Sequence, residues 1–176
     1  MPETAIVALT RGGCRLGVRL RKCLRDSALY VPAKFFQEME APSRTFPYED
    51  LRLLVERLFA PGNRLVFIMA AGIVVRLVAP YLKSKREDPG VVVLDEEGRH
   101  AVSLLSGHWG GGNGLTTEVA SLLGTRAVIT TASDVQSIPA VESLAQEFDC
   151  MIEDPSQLKG VSSALVNGED VILYGT

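Results

Sequence analysis

The sequence predicts a three-layer α/β fold, a mostly parallel sheet with helices on both faces. Three observations carry that prediction. Short continuous apolar runs, such as residues 65–69 (LVFIM) and 91–94 (VVVL), have the character of parallel strands buried on both sides. Segments with helical hydrophobic spacing alternate with them, as in residues 51–59. Glycine and other small residues gather where strands end and helices begin, at Gly12-Gly13, at Ala70-Ala71-Gly72 and over residues 106–114.

Residues 5–9 (AIVAL) form the first strand and feed a Thr10-Arg11-Gly12-Gly13 turn. A basic helix over 16–24 follows, with Leu16, Leu20, Cys23 and Leu24 at helical spacing. Residues 28–31 make a second strand, stopped by Pro32, and residues 32–47, with three prolines and no period, read as a surface loop. Leu51, Leu54, Val55, Leu58 and Phe59 share one face of a helix that Pro61-Gly62 terminates. After strand 65–69 a helix resumes, with Ile73, Val74, Leu77, Val78 and Tyr81 on one face and Arg76 outside that stripe. Strands 91–94 and 100–105 pair as a hairpin across Asp95-Glu96-Glu97-Gly98. The glycine cluster leads into a helix carrying Leu115, Val119, Leu122 and Leu123, ended by Gly124. Residues 127–129 form a strand, a helix runs through Val141, Leu144, Ala145 and Phe148, another spans 157–166, and a last strand covers 171–174. The expected division is an α/β domain over residues 1–135, with 136–176 packed on the same sheet or starting a second subdomain.

Composition narrows the function. At 176 residues, 47% hydrophobic and 22% charged, the chain has the make-up of a globular protein with a substantial core. Eighteen basic against 21 acidic residues give a net charge of −3, which argues against a nucleic-acid partner. The local exception is the basic run of Arg11, Arg15, Arg19, Arg21, Lys22 and Arg25. Cys14, Cys23 and Cys150 form no C-x-x-C pair and have no histidine at zinc-ligand spacing, so a reduced, cytoplasmic setting without a bound metal is expected. Arg76 and Pro80 interrupt the longest apolar stretch before it reaches membrane-spanning length, and with no positive n-region ahead of the first apolar run a secretory signal is not expected.

Three strand-to-helix junctions carry chemistry. At the first, Ala71 and Gly72 let a ligand approach the backbone at a helix N-terminus, and Arg76 could fork onto a carboxylate. The same small residues equally suit tight helix–sheet packing. The second, Ser106, Gly107, His108, Trp109, Gly110, Gly111, Gly112, Asn113 and Gly114, places five glycines in nine residues around His108, whose imidazole suits general acid–base work and equally a structural role. Asn113 reads best as a plain N-cap there. The third offers Thr130, Thr131, Ser133 and Asp134, groups that bind polar ligands or orient an imidazole and that also make good turns and caps. A parallel sheet is expected to bring all three to one rim. The phosphate-loop lysine, the dinucleotide-binding glycine fingerprint and a G-x-S-x-G frame around Ser106 are all missing.

These motifs occur in a fixed order: residues 68–76 (IMAAGIVVR), 85–89 (KREDP) with 91–96 (VVVLDE), 103–108 (SLLSGH) with its glycines and Asn113, and 128–134 (VITTASD). In that order the chain resembles the CbiG family of anaerobic cobalamin (vitamin B12) biosynthesis, the cobalt-precorrin-5A hydrolases. The resemblance covers about residues 50–135, and residues 164–168 (ALVNG) are similar to the family's middle region. It implies a hydrolase that opens the ring A δ-lactone of cobalt-precorrin-5A and releases acetaldehyde, giving cobalt-precorrin-5B. The cobalt belongs to the substrate, so no cofactor is expected. The macrocycle carries acetate and propionate carboxylates, which helix N-termini, Arg76 and the basic helix could grip, the alternative being that the Arg11–Arg25 run is a solvated helix face. For that chemistry His108 is the expected base and proton shuttle, backbone N–H groups from Gly110 to Asn113 hold the oxyanion, and Asp134 orients His108 or the water. The expected partners are the corrinoid substrate, other enzymes of the pathway and a second copy of the chain, with no nucleic acid and no membrane. Family members usually continue into a separate C-terminal domain, which this sequence is expected to lack. The rival reading is therefore a non-catalytic corrinoid-binding or carrier module, and a nucleotide-binding α/β domain stands third.

Overall fold

The computed structural model describes residues 4–138 and 140–172, with the backbone alone at Ser143 and Gln146. The chain divides into two compact units, one up to Val128 and one from Ile129. In the first unit the apolar runs become strands: β1 (Thr4–Ala8), β2 (Ser27–Pro32), β3 (Thr45–Tyr48), β4 (Arg64–Ile68), β5 (Gly90–Leu94), β6 (His100–Leu105) and β7 (Arg126–Val128). They form one seven-stranded sheet in the order β3-β2-β1-β4-β5-β6-β7. Helices α1 (Arg11–Cys23), α2 (Ala33–Phe36), α3 (Leu51–Leu58), α4 (Ala71–Val78) and α5 (Gly112–Leu123) lie between them.

The continuous apolar runs are explained by two cores, one on each face. Ile6, Ala8, Val66, Ile68, Val92 and Leu94 point to α1 and α5, meeting Leu16, Leu20, Leu115 and Val119. Ala5, Val7, Leu65, Phe67, Val91 and Val93 point the other way, to Leu54, Val55 and Leu58 of α3 and Val74 and Val78 of α4. Alternate side chains of each central strand thus enter opposite layers, and both layers are apolar and buried. The three-layer α/β prediction holds for this unit.

Several local expectations are corrected. Helix α1 starts at Arg11, because Thr10 caps it: its hydroxyl accepts from the Gly13 N–H at 3.0 Å. The Gly12-Gly13 pair is therefore the first helical turn, and it lets the helix lie close to the sheet. A Cβ at Gly13 would stand 3.2 Å from the Ile68 carbonyl oxygen. The 32–47 stretch is not all loop, since it holds α2 and the edge strand β3. Pro47 is tolerated in β3 because only β2 pairs with that strand, so the missing N–H interrupts no second ladder. Of the expected last strand over 171–174, Val171 and Ile172 lie outside any strand and the other two fall outside the described residues.

The hairpin between β5 and β6 forms as expected, and it reverses the sheet. β1, β2, β3, β4 and β5 run parallel to their neighbours, β6 runs antiparallel to β5, and β7 is parallel to β6. The C-terminal end of β6 therefore lies at the edge opposite the C-terminal end of β4. The expected common rim does not exist for the first two junctions. In the second unit, helices α6 (Ala132–Val135), α7 (Val141–Glu147) and α8 (Leu158–Val166) follow one another.

Candidate functional site

Chain connections diverge between β1 and β4: β1 leads to β2 on one side, and β4 leads to β5 on the other. Ligands of open α/β sheets bind at such a switch point, outside the carboxyl ends of the strands. A cleft of about 620 Å³ opens there. Its floor is apolar, made by Leu9, Met69, Ile73, Val93 and Val102, with Ala70 and Ala71 where the chain enters α4. Its polar lining is Thr10, Asp95, Glu96 and His100.

Two helix N-termini reach this edge. At α1, Thr10 caps and the Glu96 side chain lies against Gly12, so close that a Cβ at position 12 would overlap the carboxylate. An anion thus already sits at the positive pole of that helix. At α4 no side chain caps; Ala70 contributes its carbonyl, which accepts from the N–H groups of Ile73 and Val74. This pole of α4 is the less occupied of the two.

Asp95 organises the β5–β6 turn. One carboxylate oxygen accepts from the Glu97 N–H at 3.1 Å, and the other accepts from the N–H groups of Arg99 at 2.9 Å and His100 at 2.7 Å. Desolvation pushes this carboxyl upward, but the backbone donors of Arg99, His100 and Glu97, with the charge of His100, outweigh it and hold Asp95 below the ordinary carboxylate range. His100 Nδ1 stands 3.6 Å from the same Asp95 Oδ2, with about half of the imidazole side chain open to solvent. Beside the cleft, the Tyr48 hydroxyl donates to the Ala8 carbonyl at 2.7 Å, and burial raises its pKa. Burial also pushes the Cys14 thiol up to about 11, which removes it as a thiolate nucleophile at neutral pH.

The structure sorts the sequence-predicted residues into different places. Ala71 lines the cleft, and Gly72 follows it as the second residue of α4. Arg76 turns back to donate to the Gly72 carbonyl at 2.7 Å and lines a separate groove of about 570 Å³ with Asp50, Arg52 and Tyr81. Ser106, Gly107, His108, Gly110, Gly111, Gly112 and Asn113 belong to the opposite edge. His100 opens the six-residue strand β6 and the loop begins just past its end, about 20 Å away at the usual rise of a strand. There the N–H groups of Gly111, Gly112 and Asn113 donate to the carbonyls of His108, Ser106 and Gly107. Three of the four expected oxyanion donors are thus consumed inside the loop. Asn113 is not the cap, because Gly111, at φ +72, takes that position; Asn113 is buried as the second residue of α5 and accepts from the Ser103 hydroxyl at 2.7 Å. Gly110 packs its backbone directly on Gly90 at the start of β5. Thr130, Thr131, Ser133 and Asp134 belong to the second unit, where Thr131 precedes the short helix α6 and Ser133 is buried. Sequence reasoning overlooked Thr10, Asp95, Glu96 and His100. The signal was present in the predicted hairpin, whose reversal places the start of β6, not its end, beside the end of β4.

Known proteins bear on this arrangement. The family model described as Cobalamin synthesis G N-terminal matches residues 53–134, and the one described as Cobalamin biosynthesis central region matches residues 139–176. A cobalt-precorrin-5A hydrolase of Priestia megaterium is 38% identical over 170 residues, covering 96% of this chain and 46% of that protein. The cobalt-precorrin-5A hydrolase of Salmonella typhimurium is 38% identical over 177 residues, covering 98% of this chain and 48% of its own length. The chain thus spans about half the length of the curated relatives it matches. Among solved structures, one described as a cobalamin biosynthesis protein G homolog from Sulfolobus solfataricus superposes with a TM-score of 0.55 at 22% identity, over 99% of this chain and 50% of that one. That likeness supports the fold. With its N-terminal and central regions both matched, in the order the motifs appear, the chain belongs to the CbiG family of cobalamin biosynthesis.

Proposed function

We propose that the chain takes part in the hydrolysis of cobalt-precorrin-5A, opening the ring A δ-lactone and leading to release of acetaldehyde and cobalt-precorrin-5B. The observation that carries this reading is the 38% identity to two cobalt-precorrin-5A hydrolases over nearly all of the chain. The switch-point cleft supports it with an apolar floor for the edge of a macrocycle and an imidazole and carboxylates for moving protons. The cobalt arrives with the substrate, and the chain supplies no cofactor of its own. The reaction is read as cytoplasmic, and contacts with other pathway enzymes or a second copy of the chain belong to the same proposal. Among the described residues no helix is long and apolar enough to cross a membrane.

The test is an anaerobic incubation of this 176-residue chain with cobalt-precorrin-5A, following acetaldehyde and the corrinoid mass together. Product from the chain alone is the expected result. Corrinoid bound without product favours the second reading, a binding or carrier module that acts with the rest of the longer relatives. That reading has one observation behind it, the half-length match.

A further inference from the structure

Of the two histidines in the chain, His100 lines the cleft and His108 lies beyond the far end of β6. His100 turns Nδ1 toward Asp95, whose carboxylate is fixed by three backbone donors of its own turn. A carboxylate facing Nδ1 selects the tautomer with its proton there and leaves the Nε2 lone pair as the acceptor. The 3.6 Å separation is longer than a hydrogen bond, as is common for catalytic pairs before a ligand closes the site. The surrounding floor is apolar, which strengthens any charge interaction formed above it.

We propose that His100 is the catalytic proton-transfer residue of this cleft and that Asp95 is its positioning residue. The inference rests on the lactone hydrolysis proposed above. In that step Nε2 takes a proton from water as the water oxygen bonds to the lactone carbonyl carbon and the carbonyl electron pair moves to oxygen. Collapse restores the carbonyl and breaks the acyl C–O bond, and the departing alkoxide takes the proton back from Nε2. The new carboxylic acid loses its proton to solvent, and the imidazole ends neutral as it began. The uncapped N-terminus of α4 borders the place where the oxyanion charge develops.

The charged groups around His100 are Asp95, Glu96, Glu97 and Arg99 from its turn and Arg126 from β7, which pairs with it in register. The α1 and α4 sides face the cleft with Thr10, Ala71 and Ile73, none of them titratable near neutral pH. Asp95 is the nearest opposite charge, so its removal should be felt in the pH profile.

The experiment compares the parent chain, His100→Gln and Asp95→Asn with cobalt-precorrin-5A under anaerobic conditions. It reads corrinoid binding by absorption, acetaldehyde release from pH 5 to 9, and histidine carbethoxylation by mass spectrometry. The expected result is that bound corrinoid shields His100, that His100→Gln keeps binding but loses about 10²–10⁴ in turnover, and that Asp95→Asn moves the acid limb to lower pH. Parental turnover and pH profile in His100→Gln overturn the proposal while the hydrolase reading stands. So does shielding of His108 with His100 open. A parent chain that binds corrinoid and shields His100 but releases no acetaldehyde overturns catalysis by His100 in this chain. Failure of the parent to bind corrinoid at all overturns the hydrolase reading and this inference with it.

Discussion

Gly110→Ala tests whether the glycine loop is built for packing. A Cβ at position 110 would stand 2.5 Å from the Gly90 nitrogen, 2.7 Å from Ser106 Cβ and 2.9 Å from the Pro89 carbonyl carbon. Two of these three neighbours are backbone atoms of the segment entering β5, which cannot rotate away as a side-chain tip can. Overpacking of this kind costs about 1–3 kcal/mol. With about 2–4 °C of Tm per kcal/mol for a chain of this size, the expected loss is roughly 2–12 °C. Gly114, four residues on in α5, is the control, because a Cβ there meets nothing within 4 Å. Gly114→Ala should instead stabilise by about 0.5–1 kcal/mol, since alanine surrenders less backbone freedom in a helix. Thermal unfolding followed by circular dichroism reads both. Because the loop lies at the edge opposite the cleft, turnover per folded molecule should match the parent in either variant. A Gly110→Ala chain as stable as the parent, or one with normal stability and lost turnover, would refute the packing explanation.

Three further outcomes are expected. Asp95→Asn should make stability less dependent on pH in the acid range: the folded carboxyl titrates below its unfolded value, so the stability it contributes is present above about pH 4 and disappears as pH falls through the lower folded value. Urea titrations at pH 7 and at pH 3 should therefore show the parent and the variant converging at the lower pH, and a constant gap would contradict this. Asn113→Ala should cost about 1–3 kcal/mol in the same assay, because it leaves the Ser103 hydroxyl without its 2.7 Å acceptor in a part-buried site. Iodoacetamide on the native chain should label the exposed Cys23 and Cys150 and spare the buried Cys14, whose thiol is raised to about 11, until denaturant is added; early labelling of Cys14 by peptide mapping would show that α1 does not seal it.

What was legible in the sequence was local. Runs such as LVFIM declare a strand buried on both faces because each alternate residue must find its own apolar layer, and the structure supplies one on each side. The helical stripe of Leu54, Val55 and Leu58 is legible for the same reason. Less legible were features whose cause lies far along the chain. The edge strand β3 carries Pro47 and a half-exposed pattern, so nothing within its own four residues distinguishes it from loop; its partner β2 does that. Gly12 and Gly13 looked like a turn, because the sequence does not show that Ile68 from β4 and Glu96 from the hairpin crowd that helix start.

The candidate site turned on one such nonlocal fact. Glycine density and a histidine drew attention to residues 106–114, yet glycine is demanded both by ligand approach and by backbone approach, and composition cannot separate the two. In this chain the close neighbours of Gly110 are Gly90, Pro89 and Ser106, which assigns its missing side chain to packing. Meanwhile Asp95-Glu96-Glu97-Gly98 looked like ordinary turn chemistry, and Gly98 does turn, at φ +67. But an antiparallel strand starts where its parallel neighbours end. The hairpin that reverses β6 therefore carries its first residue, His100, to the carboxyl edge with Thr10 and Ala71, and takes His108 about 20 Å away from it. Proton transfer needs contact within about 3 Å, or one bridging water, so His108 cannot serve that cleft while β6 keeps this direction. Strand direction, more than residue type, decides which histidine can act there.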